Sequence, residues 1–307
     1  MEKYYVAGYK LAAHKLVSYP IDVNQRPRTA AQEENNKNLT RGDYNGYMSP
    51  KTKAKVSEML NNWYASIYIA RKRAKKSKQV VKPYLTFATL TLPVTQFHSD
   101  NEIKRKCLNL FLIKLKEYKG IEHYFWRAEA QGNGNIHFHI ICDRYIDMLW
   151  LQRHWNLALN ALGYIDKFEL KWGHRQPPTT HIEKVTSLKD ASKYVVNYMK
   201  KHEGRRIIEG RIWGCSAELR KIKSLCAIHS EDFAKFEAYL QSNKYVYQKQ
   251  DSAYSVYCGD MFLLLSKNFK SLYKELELHY MLQYKQLYET IPILKVKPEF
   301  DVSFVPF

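Results

Sequence analysis

Cysteine is scarce in this sequence, and long apolar runs are missing from it. No stretch of about 18 apolar residues occurs, and the first ten residues, MEKYYVAGYK, lack the apolar core of a signal peptide. We therefore expect a cytoplasmic protein that neither crosses nor binds a membrane. A disulfide framework or a zinc knuckle is also unsupported, because the cysteines form no C-x-x-C pair and are odd in number. They are Cys107, Cys142, Cys215, Cys226 and Cys258.

Acidic residues are outnumbered. The chain has 30 Asp and Glu against 49 Lys and Arg, which gives a formal net charge of +19. A surplus of this size indicates a polyanionic partner. The basic segments Arg71–Lys78 and Arg205–Arg211 are the candidates for phosphate contacts. With 307 residues, 45% of them hydrophobic, the chain is long enough to bury a large core.

The N-terminal part, residues 1–80, differs in composition from the rest of the chain. The polar stretch NQRPRTAAQEENNKNLTRGDYNG precedes a predicted helix from about Pro50 to Lys76. That helix ends in the basic run RKRAKKSKQ, which is typical of a solvated linker but also suits phosphate contacts. Apolar residues recur along it at helical spacing, at Val56, Met59, Leu60, Trp63 and Ile67.

From residue 81 to 223 a regular pattern predicts one folded domain. Strands are expected in YLTFATLTL, HYFWRAEA, IHFHIICD, DKFELKW and THIEKV. Helices are expected in the segment from Ser99 to Gly120, which opens with a capping box to Glu102, and in DMLWLQRHWNLALNALG and SLKDASKYVVNYMKKH. The Gly- and Asn-rich QGNGN joins the second and third strands as a hairpin. Together these predict an α+β fold with a central antiparallel sheet of about five strands and flanking helices.

The C-terminal part, residues 224–307, is expected to be a mostly helical extension. A long helix is predicted in FLLLSKNFKSLYKELELHYMLQYKQLYE. The segment YVYQKQDSAYSVY is compatible with either strand or loop.

Two histidines lie two positions apart in the strand IHFHIICD. Side chains at i and i+2 of a strand share a face, so His137 and His139 point together, away from the core side. Glu129, eight residues before His137 on the other hairpin strand, falls on the same face. Two imidazoles and a carboxylate leave positions open for water or a phosphate oxygen, which suits an exchangeable divalent metal. Taken alone, histidines in strands are more often surface or hydrogen-bonded residues.

Two tyrosines, Tyr194 and Tyr198, are spaced i and i+4 on the predicted helix SLKDASKYVVNYMKK, with Lys201 beside them. In a chain with 24 tyrosines, such a pair usually reflects amphipathic packing. Close to a metal site, however, a phenol can attack a phosphodiester while a nearby cation stabilises the phenolate.

Three segments occur in the order of the motifs of a known superfamily. The strand TFATLTLP, the histidine pair in HFH, and the helix with YVVNYMKK resemble the three motifs of HUH endonucleases. The similarity is greatest to the rolling-circle replication initiators of small single-stranded DNA phages and related plasmids. The later segment RIWGCSAEL also resembles the Trp-Gly-x-Ser segment that follows the tyrosine helix in such initiators. The resemblance spans residues 83 to 220.

This resemblance implies a fold, a cofactor and roles for single residues. It implies a five-stranded antiparallel sheet over residues 81–223 with the H-x-H strand at its centre. It implies nicking and rejoining of single-stranded DNA at an origin through a 5′-phosphotyrosine intermediate, with Mg²⁺ or Mn²⁺ as cofactor. The implied metal ligands and catalytic residues are His137, His139, Glu129, Tyr198, Tyr194 and Lys201.

The implied partners are origin single-stranded DNA and host replication proteins. The chain lacks a G-x-x-x-x-G-K-[ST] phosphate loop, so unwinding would come from a host helicase, with a host polymerase extending the primer in the bacterial cytoplasm. Two alternatives stay open. One is a non-catalytic basic nucleic-acid-binding protein that stacks bases on Tyr124, Phe125 and Trp126. The other is a transposase or relaxase of the same superfamily.

Overall fold

The computed structural model describes residues 4–24, 29–31, 46–77, 81, 83–184, 206–243, 246–251 and 253–289. The described strands are β1 Tyr5–Ala12, β2 Lys15–Asp22, β3 Thr86–Leu90, β4 Tyr124–Ala130, β5 Ile136–Cys142, β6 Thr180–Lys184, β7 Trp213–Cys215, β8 Leu225–Ile228, β9 Tyr247–Asp251 and β10 Tyr254–Cys258. The described α-helices are α1 Pro50–Ser77, α2 Asp100–Ile103, α3 Asn109–Lys119, α4 Met148–Asn160, α5 Tyr164–Trp172, α6 Glu231–Ser242, α7 Met261–Asn268 and α8 Lys270–Tyr288. A π-helical turn, Lys104–Leu108, joins α2 to α3, and a 3₁₀ turn covers Glu218–Lys221.

Both sheets are antiparallel and have five strands. One has the order β6-β3-β5-β4-β7, and the other has the order β8-β1-β2-β10-β9. With helices beside them, they confirm the predicted α+β class. The chain divides into two compact units, one formed by Met1–Tyr44 with Lys223–Gln283 and the other by Asn45–Ile222 with Tyr284–Phe307. The three-part division at residues 81 and 224 stays a prediction.

The sheet β6-β3-β5-β4-β7 places the strand with the two histidines at its centre, as expected. One of its faces is closed by an aromatic cluster in which Phe138 lies edge-on to both Trp126 and Trp155, and Phe111 lies edge-on to Trp155. Phe111, Phe138 and Trp155 are fully buried. Because this face is anchored in the core, the residues alternating with Phe138 must face the other side of the sheet.

The fifth strand of this sheet is not the one that the sequence predicts. DKFELKW forms helix α5, with Tyr164, Ile165 and Phe168 buried and Leu170 and Trp172 largely exposed. The apparent alternation of apolar residues in this segment therefore does not reflect a strand. Left-handed glycines, Gly163 with φ of 73° and Gly173 with φ of 75°, bound the helix at its two ends.

The place at the edge of the sheet is taken by β7, within the segment RIWGCSAEL. Gly214 pairs with Trp126 across β7 and β4. A Cβ at Gly214 would lie only 2.7 Å from the indole nitrogen of Trp126, so no larger residue fits there without movement of the ring. This close approach is a physical reason for the Trp-Gly pair in the segment.

Two predicted helices are confirmed. α1 runs from Pro50 to Ser77, and all five of the apolar residues named for it are buried. The helical segment that starts at Asp100 is capped by Ser99, whose Oγ accepts a hydrogen bond from the backbone N–H of Glu102, and it ends at the left-handed Gly120.

The other sheet differs from what the sequence pattern predicts. β1 and β2 form a hairpin whose two loop residues are Ala13 and His14, so the Gly, Asn or Asp signal of a tight turn is absent from this loop. The segment that is compatible with strand or loop forms the hairpin β9-β10. The long C-terminal helix is two helices, because the chain leaves helical geometry at Phe269 (φ −125°, ψ 54°).

Candidate metal centre

The hairpin β4-β5 brings three potential metal ligands together. Glu129 pairs directly with His137, and Arg127 pairs with His139. The parity inferred from the sequence is therefore correct, because directly paired residues of antiparallel strands share a face. The loop that sets this register is closed by a hydrogen bond from the backbone N–H of Gln131 to the carbonyl of Asn135.

The carboxylate of Glu129 lies between the two imidazoles. Its Oε2 is 3.4 Å from Nε2 of His139 and 3.5 Å from Nε2 of His137. Glu129 and His139 are buried, and His137 is partly buried. The expectation that the pair points outward holds for the direction of the side chains, but His139 is only 6% exposed.

These atoms form a group that could hold a metal ion. One ligand atom from each of Glu129, His137 and His139 lies within 4.8 Å of the others, and among the described residues no other set of three His, Cys, Asp or Glu side chains does so. Two ligand atoms that are each about 2.1 Å from one ion lie roughly 3.0–3.5 Å apart, which the measured separations match. Nitrogen and oxygen donors with three protein ligands suit a divalent ion that keeps open positions.

Charged neighbours keep the carboxylate ionised. Burial by itself would raise the pKa of Glu129, but hydrogen bonds from His137 and His139 and the charge of Arg127 outweigh it and lower the pKa to about 2. Nε of Arg127 lies 3.2 Å from Oε1 of Glu129. One carboxylate oxygen therefore faces the imidazoles while the other faces the guanidinium.

His139 is oriented by two residues of β3. Its Nδ1 is 3.1 Å from Oγ1 of Thr89, which pairs with it across the strands, and its ring stacks on Phe87 with centroids 5.4 Å apart. Burial lowers the pKa of His139, which favours the neutral imidazole that binds metals. With Nε2 directed to a metal, Nδ1–H donates to Thr89, the outer partner typical of metal-bound histidines.

A buried polar cluster lies at the same edge of the sheet, and no sequence pattern predicts it. Asp100 receives two hydrogen bonds from Arg206, from Nη1 at 2.6 Å and Nη2 at 2.7 Å, and another from Nε2 of Gln96 at 2.8 Å. Gln96 accepts a hydrogen bond from the backbone N–H of Ile136, the residue before His137. Arg206 also donates to the carbonyl of Gly134 at 2.5 Å. We call Asp100, Gln96 and Arg206 the Asp100 cluster.

The Asp100 cluster ties together three distant parts of the chain. Burial would raise the pKa of Asp100, but hydrogen bonds from Arg206, Gln96 and the backbone N–H of Glu209 outweigh it and lower the pKa. The carboxylate therefore stays ionised and holds the β4-β5 loop against the segment that starts at Arg206. The sequence places Arg206 among the candidate phosphate contacts, but its guanidinium is occupied by this cluster.

The predicted nucleophiles cannot be placed. Tyr194, Tyr198 and Lys201 fall in residues 185–205, outside the described residues. The described chain reaches Lys184 at the end of β6 and resumes at Arg206.

The aromatic residues named for a non-catalytic binding protein are not available for stacking. Phe125 is 5% exposed and Trp126 is 8% exposed, and Tyr124 is partly buried. Phe125 instead stacks on Trp213, with ring centroids 6.2 Å apart.

Comparison with known proteins gives one match. Residues 85–203 match the family model described as Replication-associated protein ORF2, which covers somewhat more than a third of the chain, including the three candidate ligands. This match supports a replication-initiator family and, with it, an interaction with DNA. The narrower assignment to HUH endonucleases stays a prediction. No curated protein and no solved structure matches the chain. In the part of the chain that the structure describes, no helix has the length and apolarity needed to cross a membrane.

Proposed function

We propose that this chain initiates rolling-circle replication by cutting and rejoining single-stranded DNA at an origin through a 5′-phosphotyrosine intermediate. The observation that carries the proposal is the Glu129, His137 and His139 group within a segment that matches replication-associated proteins. The surplus of 19 positive charges suits the DNA substrate.

Glu129, His137 and His139 would hold Mg²⁺ or Mn²⁺. When bound, such an ion supplies a Lewis acid that polarises an oxygen of the scissile phosphate. Arg127 keeps the Glu129 carboxylate turned toward the histidines, and Thr89 fixes the ring of His139.

Tyr198 is the proposed first nucleophile. Its Oη forms a bond to phosphorus while the bond from phosphorus to the 3′ oxygen breaks, so the 5′ phosphate stays on the protein. The phenolic proton is lost and a proton is gained by the departing oxygen, which leaves as a 3′ hydroxyl. Lys201 stabilises the phenolate. Tyr194 repeats the cut at the regenerated origin, and the new 3′ hydroxyl displaces Tyr198 to close the circle.

The non-catalytic alternative receives less support, because the aromatic rings that it would use on β4 are buried or partly buried. A transposase or relaxase would use the same chemistry at a different DNA site. The substrate, a replication origin against a transposon end or transfer origin, separates these possibilities.

The test is covalent capture. Full-length protein is incubated with circular single-stranded DNA and Mn²⁺ or Mg²⁺, and a denaturant-resistant protein–DNA adduct is sought on a gel. We expect adduct in the wild type, none in chelator, and none for His137→Ala or His139→Ala, with DNA affinity within a few-fold of the wild type. His174→Ala, at an exposed loop position, is the matched control and should form adduct normally. A double variant at His137 and His139 that nicks at the wild-type rate would overturn the metal assignment.

A further inference from the structure

The sheet β8-β1-β2-β10-β9 has two unlike faces. Strand pairing places Tyr9 opposite Ser18 and Leu11 opposite Leu16, and Leu16 opposite Tyr257. All of these side chains are buried. They define one face of the sheet, because directly paired antiparallel residues point the same way.

Helix α6 covers this buried face. The ring of Tyr9 packs on Phe233, with centroids 5.4 Å apart. Glu237 accepts hydrogen bonds from the hydroxyl of Ser18 at 2.5 Å and from that of Tyr257 at 3.0 Å. These contacts satisfy the polar groups of the face and close it within the unit.

The opposite face carries lysine and tyrosine side chains. Val256 pairs with both Val17 and Lys249, and Cys258 pairs with both Lys15 and Tyr247. One step further along the same strands, the register brings Tyr254 beside Tyr19. We call Lys15, Tyr19, Tyr247, Lys249 and Tyr254 the lysine–tyrosine face.

Exposure separates this face from the buried one. Tyr247 is 68% exposed and Tyr254 is 37% exposed, and Lys249 is exposed as well. Lys15 and Tyr19 are half-buried near the middle of the sheet. Aromatic rings on an exposed sheet surface are costly to leave in water unless they serve as a binding surface.

The charge of this face has one sign. Among its strand positions whose side chains the structure describes, every charged residue is a lysine, namely Lys10, Lys15 and Lys249. Asp251 ends β9, and its side chain lies outside those described. A surface of alternating ammonium groups and phenol rings complements a strand of alternating phosphates and bases.

We propose that the lysine–tyrosine face binds single-stranded DNA, with bases stacked on Tyr247 and Tyr254 and phosphates neutralised by Lys249 and Lys15. Stacking on exposed rings requires unpaired bases, which favours a single strand over a duplex. The inference goes beyond the proposed function, because the face lies outside the matched residues 85–203 and acts in binding alone.

The experiment measures binding without cleavage. Fluorescence anisotropy with labelled oligo-dT and full-length protein in EDTA compares wild type with Tyr247→Ala/Tyr254→Ala and with Lys249→Ala. Each alanine at a stacking tyrosine should weaken binding at least about fivefold. Tyr247→Phe/Tyr254→Phe should restore it, because the phenyl ring still stacks. An abasic oligonucleotide of equal length should reduce the difference between wild type and the double alanine variant.

Matched controls are Tyr145→Ala, at an exposed tyrosine in the other unit, and Lys267→Ala, at an exposed lysine of α7. Both should bind within about twofold of wild type, and all variants should keep the wild-type melting temperature. The proposal is overturned if the double alanine variant binds like wild type, if the controls lose as much affinity, or if a duplex or oligo-rU binds this face more tightly.

The outcome is independent of the covalent-capture test. Loss of affinity in the double alanine variant without any adduct in the wild type would support this face and refute the proposed function. Adduct formation with unchanged affinity in the double alanine variant would do the opposite.

Discussion

Thr89 and Arg127 act on the candidate metal centre through its ligands and do not bind the metal themselves. Arg127 faces one oxygen of Glu129, which leaves the other for the histidines. Thr89 faces the ring nitrogen of His139 that would not bind the metal. Side chains in such positions commonly change metal affinity by 10- to 100-fold when they are removed.

Thr89→Val tests this role with little change in shape. We expect Mn²⁺ to bind on the order of tenfold more weakly, because the imidazole loses the acceptor that fixes its orientation. Thr89→Ser, which keeps the hydroxyl, should retain wild-type affinity. Isothermal titration of the full chain with Mn²⁺ gives both values. Equal affinities for wild type and Thr89→Val would show that Thr89 does not position the ring.

Asp143 provides a prediction about stability and pH. Burial raises its pKa to about 7, and its Oδ1 has no hydrogen-bond partner among the described residues. The unfolded pKa is about 3.9. Because the folded pKa is the higher one, the stability contributed by the protonated form is complete below about pH 4 and is lost as the pH rises through about 7.

Asp143→Asn should therefore stabilise the protein more at pH 8 than at pH 5. The full pKa difference corresponds to a change on the order of 4 kcal/mol between the protonated and ionised limits, of which part falls in this interval. Urea unfolding of both proteins at the two pH values measures it. An advantage of the variant that stays constant with pH would contradict the assigned pKa.

At the scale of elements, the Asp100 cluster joins the start of α2, the β4-β5 loop and the segment that resumes at Arg206. It therefore fixes the end of the segment that contains the predicted nucleophiles relative to the strand that carries His137. We regard Asp100 as a positioning residue.

Asp100→Asn should slow adduct formation while leaving Mn²⁺ affinity within about twofold of wild type. The two charge-assisted hydrogen bonds from Arg206 are weakened, and we expect a loss of stability of about 1–3 kcal/mol. Glu102→Gln is the matched control, because it removes a carboxylate of the same helical segment that forms a surface ion pair with Lys106. If both variants form adduct at the same rate, the cluster serves stability alone.

The three ligands of the candidate metal centre could be predicted from sequence, because strand alternation and hairpin parity are local rules. Arg127 obeys the same alternation and could have been found with them. The pairing of Asp100 with Arg206 could not, since 106 positions separate the two residues. No local pattern reports a contact over that distance.

The elements that were predicted wrongly have local causes as well. The alternation in DKFELKW imitates a strand, but the glycines on both sides and the burial of Phe168 with Ile165 belong to a helix. β7 has three residues, too few for a periodic signal. The turn at Ala13 and His14 carries no turn residue, so the hairpin β1-β2 had no marker.

At the scale of the whole molecule, the surplus of basic residues should control DNA affinity. Each lysine or arginine that contacts a phosphate releases counterions, so the logarithm of the affinity should fall against the logarithm of salt by roughly 0.7 per contact for a single strand. The exposed residues Arg73 and Lys75 of α1 are candidates. Anisotropy titrations in chelator from low to physiological salt give the slope, and a flat dependence would contradict a polyanion as partner.

The central claim is that a tyrosine of this chain attacks DNA with the help of the Glu129, His137 and His139 group. The measurement is digestion of the covalent adduct followed by mass spectrometry of the DNA-linked peptide in wild type, Tyr198→Phe and Tyr194→Phe. We expect the DNA on Tyr198 in the wild type and a much reduced rate of adduct formation in Tyr198→Phe. Tyr194→Phe should still form the first adduct. Adduct that persists when both tyrosines are replaced by phenylalanine, or that forms on a peptide without either, would contradict the account.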